Sequence, residues 1–160
     1  MTRSRTAQGN GALSVIAIAD TNALYRLLDP RLTEHEAHKE AVATISHLVV
    51  SPMVLAELNY LISVRGGARK ALTAARFIER NAATRRFEVP PIAAHLSSAI
   101  AIAEGYADAD GGQGIGLTDA MNVALAAAYR TEVLFTTDRH FRMVRPLTGH
   151  KAFRVLPEDL

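Results

Sequence analysis

Three short runs, residues 15–19, 48–50 and 133–136, are apolar almost throughout and lack the alternation of a strand that keeps one face in water. Runs of this kind form strands buried on both faces, which is the habit of a parallel sheet covered by helices. The segments between them read as helices. Residues 22–28 form one that Pro30 stops, and residues 33–45 a second, with Thr33 and Glu36 spaced as a capping box. Ser51 and Pro52 suit the N-cap and first position of a third helix reaching residue 64. Gly66-Gly67 breaks the chain, and alanine-rich helices follow over 68–81 and 92–105 with a strand at 87–89 between them. A glycine-rich stretch, 107–116, reads as a mobile loop leading to a helix over 118–129, and residues 153–156 supply a last strand.

This alternation predicts an α/β protein with three layers, α/β/α, around a mostly parallel central sheet. At 160 residues the chain is long enough to bury about 70% of its unfolded surface in one core. Residues 12–160 are expected to form a single domain and residues 1–11 a flexible tail. The N-terminus has a basic start and an Ala17-Ile18-Ala19 ending that mimic a secretory signal. Its apolar run is only 12–19, broken by Ser14, and cleavage would remove the first strand. The absence of cysteine excludes disulfides, thiolate zinc sites and cysteine nucleophiles, and suits a cytoplasmic location. Nothing reads as a membrane span. The net charge of +2 does not mark a general polyanion binder, but seven basic residues lie between Leu61 and Val89 against two acids. They read as a solvated helix face or as a phosphate-steering surface.

Ligands of open α/β sheets bind beyond the carboxyl ends of the strands, where the strand order reverses. Asp20 follows the first apolar strand and Asp138 follows the run ending at Thr136; each fits a site or a simple helix cap. Asp119 falls in the first turn of a helix, where the dipole favours any carboxylate. Glu57 has Met53, Val54, Tyr60 and Leu61 three and four residues away. On so apolar a face a carboxylate needs a buried partner such as Arg, or a bound cation. One cation site built from Asp20, Glu57, Asp119 and Asp138 explains all four together. Oxygen ligands suit Mg²⁺ or Mn²⁺, and an ion of this kind can activate water for attack on a phosphodiester.

The ordered set DTN (20–22), SPMVLAEL (51–58), GLTDAMNVALA (116–126) and LFTTDRHF (134–141) resembles the PIN-domain nucleases, most closely the VapC ribonuclease toxins of bacterial toxin–antitoxin pairs. The resemblance spans residues 15–141. It implies a PIN-like sheet flanked by helices, metal-dependent endoribonuclease activity on RNA, and the same quartet, Asp20, Glu57, Asp119 and Asp138, holding Mg²⁺ or Mn²⁺. It matches Thr21 and Thr136 to the family's small polar residue after the first acid and its threonine before the last. It further implies a VapB-type antitoxin, with a helix and tail that direct a basic side chain into the acidic pocket, and a homodimer. The apolar surplus of the helices at 52–64 and 92–105 is consistent with pairing. A catalytically silent PIN-like binding module is the alternative.

Asn122, one turn beyond Asp119, is placed to line the same pocket or to be a solvent-exposed or capping residue. Arg139 and Arg142 flank Asp138 and are the candidates for contact with RNA phosphates. His140 fits a structural role better than that of a general base, and the remaining histidines read as surface or packing residues. Asp108, Asp110 and Asp119 mimic three positions of a calcium loop, but Gln113 stands where its glycine belongs. A haloacid-dehalogenase-like phosphatase needs a second Asp where Asn22 stands.

Overall fold

The computed structural model describes residues 13–160; the tail expected over residues 1–11 lies outside them. The described residues form strands β1 (Ile16–Ala19), β2 (His47–Val50), β3 (Phe87–Glu88), β4 (Val133–Phe135) and β5 (Arg154–Leu156). Helices α1 (Thr21–Leu28), α2 (His35–Thr44), α3 (Pro52–Gly66), α4 (Ala68–Ala83), α5 (Leu96–Gly105) and α6 (Leu117–Ala128) alternate with them. The sheet order is β3-β2-β1-β4-β5, and every neighbouring pair is parallel.

The pleat explains why the strand interiors are apolar at successive positions. Ala17, Ala19, Leu48, Val50, Val133, Phe135 and Leu156 pack on one face with residues of α1 to α4. Ile18, Val49, Leu134 and Val155 pack on the other with α5 and α6. Both faces are covered, so the polar strand residues, His47, Glu88 and Arg154, fall at strand ends. Each fully buried Leu or Phe, such as Leu48, Leu134 and Phe135, contributes about 1.5–3 kcal/mol of apolar transfer.

Connectivity sets where a site can form. The chain steps outward from β1 to β2 to β3 while α1 to α4 cover one face, then returns through α5 and α6 to lay β4 on the other side of β1. The order therefore reverses at β1. The carboxyl ends of β1 and β4 meet at Ala19 and Phe135, and the residues just beyond them open into the crevice that such a reversal creates.

Local departures from the expected elements have identifiable causes. The capping box of Thr33 and Glu36 does not form. Helix α2 starts at His35, its cap position is Glu34 with no side-chain bond, and the Thr33 hydroxyl donates to the Glu34 carboxylate at 3.0 Å instead. Ser51 does cap α3, accepting from Met53 N at 3.2 Å, with Pro52 in the first turn. Gly67 ends α3 and starts α4 at φ +88°, a conformation that favours glycine. Ala93–His95 forms a 3₁₀ turn before α5 rather than its first turn. The glycine-rich stretch is folded into another such turn at Asp110–Gly112, and a Cβ on Gly114 would stand 2.9 Å from the carbonyl oxygen of Tyr106. No described helix is long and apolar enough to cross a membrane.

Candidate active site

Asp20 is held from three sides. Its backbone N–H continues the ladder to Phe135 O at 2.9 Å, its Oδ1 accepts from Thr21 N at 2.8 Å, and its Oδ2 accepts from Thr136 Oγ1 at 2.7 Å. Asp20 is thus the N-cap of α1 and a site carboxylate at once. It is 5% exposed, and burial raises its carboxyl above the usual range, opposed by the Thr136 and Thr21 bonds and reinforced by Asp138 and Glu57.

Thr136 is fully buried at the end of β4. The hydroxyl that donates to Asp20 also accepts from Asp138 N at 3.0 Å, so one side chain sets the spacing of two acids. Asp138 caps the 3₁₀ turn Arg139–Arg142 by accepting from His140 N at 2.8 Å. The His140 ring adds an Nδ1 contact of 2.8 Å to the same oxygen, and its Nε2 lies 3.7 Å from Asp110 of the glycine-rich loop.

Glu57 departs from expectation. It is exposed, not buried on an apolar face. The buried stripe of α3 is Val54, Leu58 and Ile62, while Tyr60 is 71% exposed. Among the described residues, no arginine pairs with Glu57. Its Oε2 accepts from Thr21 Oγ1 and its Oε1 from Thr118 Oγ1, both at 2.8 Å. Asp119, the next residue along α6, is half-buried. Burial first, then repulsion from Asp20, Asp138 and Glu57, pushes its carboxyl up to about 7.

Asp20, Glu57, Asp119 and Asp138 line one pocket together with Thr21, Asn22, Tyr60, Leu61 and residues 116–118. None of these lining residues is basic. Among the described residues, no three acid or histidine side chains stand close enough together to hold a metal ion as placed; the four carboxylates share the lining of one pocket.

The supporting residues sort differently from expectation. Thr21 and Thr136 bond site carboxylates directly. Asn122 is 1% exposed, so it is neither a surface nor a capping residue. Its Nδ2 donates to Ala19 O at 3.4 Å, tying α6 to β1, and its Oδ1 has no partner among the described residues; it does not appear in the pocket lining. Arg139 is exposed beside Asn22, Asp138 and His140, with a 3.5 Å contact to Glu158. Arg142 is already engaged, by a bidentate pair with Asp159 at 2.7 and 2.8 Å. That pair leaves Arg139 the freer of the two. Arg65, Lys70 and Arg80 of the basic stretch line a separate groove with Tyr25, Leu28, Ile62 and Phe77. The sequence reading missed Thr118, whose only advance signal was its position next to Asp119.

The PIN domain model matches residues 17–145, a span that contains all four acids. Ribonuclease VapC26 of Mycobacterium tuberculosis is 38% identical over 143 residues, covering 88% of this chain and 99% of that protein. The chain belongs to the PIN-domain family, in its VapC branch. Solved structures agree with this PIN fold. Mycobacterium tuberculosis VapC20, described as a sarcin-ricin loop cleaving toxin, superposes with a TM-score of 0.67 at 20% identity, covering 83% of this chain and 97% of that one. VapBC2 of Rickettsia felis, solved with a DNA fragment from its promoter, gives a TM-score of 0.60 at 20% identity over 83% and 96% of the two chains.

Proposed function

We propose that this PIN domain is a metal-dependent endoribonuclease and the toxin of a VapBC-type toxin–antitoxin pair. The observation that carries the reading is a pocket lined by four carboxylates and no basic side chain. Such a set repels itself, as the raised Asp119 carboxyl records, and calls for a cation that hard oxygen donors suit, Mg²⁺ or Mn²⁺. Asp20, Asp119 and Asp138 would hold the ion most directly, with water completing its shell: Thr136 sets Asp20 and Asp138 against each other, and Asp119 faces both from the first turn of α6. Glu57, whose two oxygens each accept a threonine hydroxyl, would act through a water. When bound, the ion supplies an acidified water and neutralises charge at the phosphate.

The chain's own groups prepare that chemistry. Thr136 fixes Asp20 against Asp138. His140 orients Asp138, which suits a structural more than a general-base role. Arg139, exposed on the rim, would meet the RNA backbone as it approaches an anionic pocket. The kinship with VapC26 and the VapBC2 complex support a VapB-type antitoxin as partner. We extend the reading to a homodimer, a cytoplasmic location and one domain over residues 12–160.

The test is cleavage of a structured RNA pool by purified protein with Mg²⁺ or Mn²⁺, with chelator, and by Asp20→Asn prepared identically. Loss of cleavage in both controls supports the reading. Cleavage that survives Asp20→Asn refutes the site, and a folded, antitoxin-free protein that binds no metal and cuts nothing leaves the silent binding module.

A further inference from the structure

We propose that Thr118 is a positioning residue that holds the Glu57 carboxylate for the metal centre; this rests on the function proposed above. Glu57 projects from the exposed side of α3, a helix that packs chiefly on α4 and α1. A glutamate so placed has three free torsions and no packing to choose among them. Two hydroxyls choose instead. Thr21, in the first turn of α1 beside Asp20, donates to one oxygen, and Thr118, in the first turn of α6 beside Asp119, donates to the other, both at 2.8 Å. Bonds to both oxygens fix the carboxylate's plane as well as its place, and a neutral donor to an ionised acceptor makes a strong bond.

The Thr118 hydroxyl is not explained by the helix that carries it. The cap position of α6 is Gly116, and no side chain caps that end. The hydrogen bond of Thr118 spans 61 residues of sequence to reach Glu57. Because Thr118 and Asp119 are adjacent, the same bond also sets the first turn of α6 against α3, so it fixes the distance between two acids of the quartet. Glu57 on its own would be a mobile surface side chain; clasped, it is a preorganised acceptor.

Glu57, acting through a water, is itself an outer partner of the ion, and losing or misplacing such a partner typically changes metal affinity about 10- to 100-fold. Thr118→Val, which keeps the shape and removes the hydroxyl, should weaken Mn²⁺ binding measured by calorimetry by about 10-fold. Its RNA cleavage should need correspondingly more Mn²⁺ and recover at saturating metal. Thr118→Ser, which restores the donor, should bind and cut as the natural protein does. Thr118→Ala removes the hydroxyl without adding bulk and should match Thr118→Val even if the valine packs poorly. Unchanged Mn²⁺ affinity in both hydroxyl-free variants, with the natural protein binding Mn²⁺ and Asp20→Asn not, overturns the clasp while the nuclease reading stands. A natural protein that binds no Mn²⁺ overturns both.

Discussion

Replacing Asp119 with asparagine should stabilise the metal-free protein at neutral pH while abolishing its cleavage activity. The Asp119 carboxyl keeps its proton up to about 7, whereas the same group in an unfolded chain titrates near 3.8. Above 7 the folded state carries a charge that burial and three neighbouring acids oppose, and the penalty is fully present. As pH falls through 7 the folded state takes up a proton that the unfolded state does not, so stability rises, levelling off below 3.8. For a fully enclosed group this interval corresponds to about 4 kcal/mol. Asp119 is half-buried, and solvent screening reduces the figure to about 1–3 kcal/mol. At roughly 2–4 °C per kcal/mol for a domain of this size, Asp119→Asn should melt roughly 3–10 °C above the natural protein at about pH 7.5 and nearly with it at about pH 4. The assay is thermal unfolding in chelator, followed by circular dichroism across that range. Groups remote from the pocket cancel in the difference, and relief of the neighbouring acids adds to it in the same direction. Equal melting temperatures at the higher pH, or a pH dependence that the substitution leaves intact, would refute the electrostatic reasoning.

Two other perturbations test the frame around the pocket. Thr136→Val strips a buried donor from Asp20 and a buried acceptor from Asp138 N; unfolding in denaturant should show a loss of about 2–4 kcal/mol, with Thr136→Ser retaining most of the stability. His38 is fully buried, bonded through Nδ1 to Glu34 O and set edge-on to Phe135, and burial lowers its pKa below the usual 6.5. The unfolded chain therefore takes up a proton first, stability falls as pH drops below 6.5, and His38→Leu should flatten that acid limb in denaturant titrations.

The parts of the molecule that could be read from the sequence were those set by local pattern. An apolar run followed by Asp20 and a helix fixes both the strand and the carboxylate at its end, because burial on two faces leaves no other role for such a run. Glu57 was reached for a wrong reason. Helix α3 is apolar on most of its surface, with Met53, Leu55 and Leu61 only half-buried and Tyr60 and Val64 exposed, so periodicity could not tell its buried stripe from its shoulder. Asn122 shows the opposite error, since a lone amide in an alanine-rich helix carries no sign that its helix will lie flat on the sheet. Long-range polar contacts were invisible. Neither the Thr118 bond to Glu57 nor the Asp159 grip on Arg142 leaves any trace in spacing, because each is set by how α6 and the C-terminal segment pack. The capping box failed on a shift in the start of α2, the kind of boundary that propensity specifies poorly.

The position of β1 in the middle of the sheet has a consequence for synthesis on the ribosome. Asp20 emerges early, but the hydroxyl that anchors it belongs to Thr136, 116 residues later. At about 5–20 residues per second, translation separates the two by roughly 6–23 s. Throughout that interval the growing chain carries Asp20 and Glu57 without the strand that completes their pocket, so a product truncated before Thr136 is expected to lack RNA cleavage, which an assay of such a fragment checks. The pocket can close only once Thr136 has followed Asp20 out of the ribosome, which gives a partner already in the cell several seconds to meet a chain whose first acid is not yet anchored.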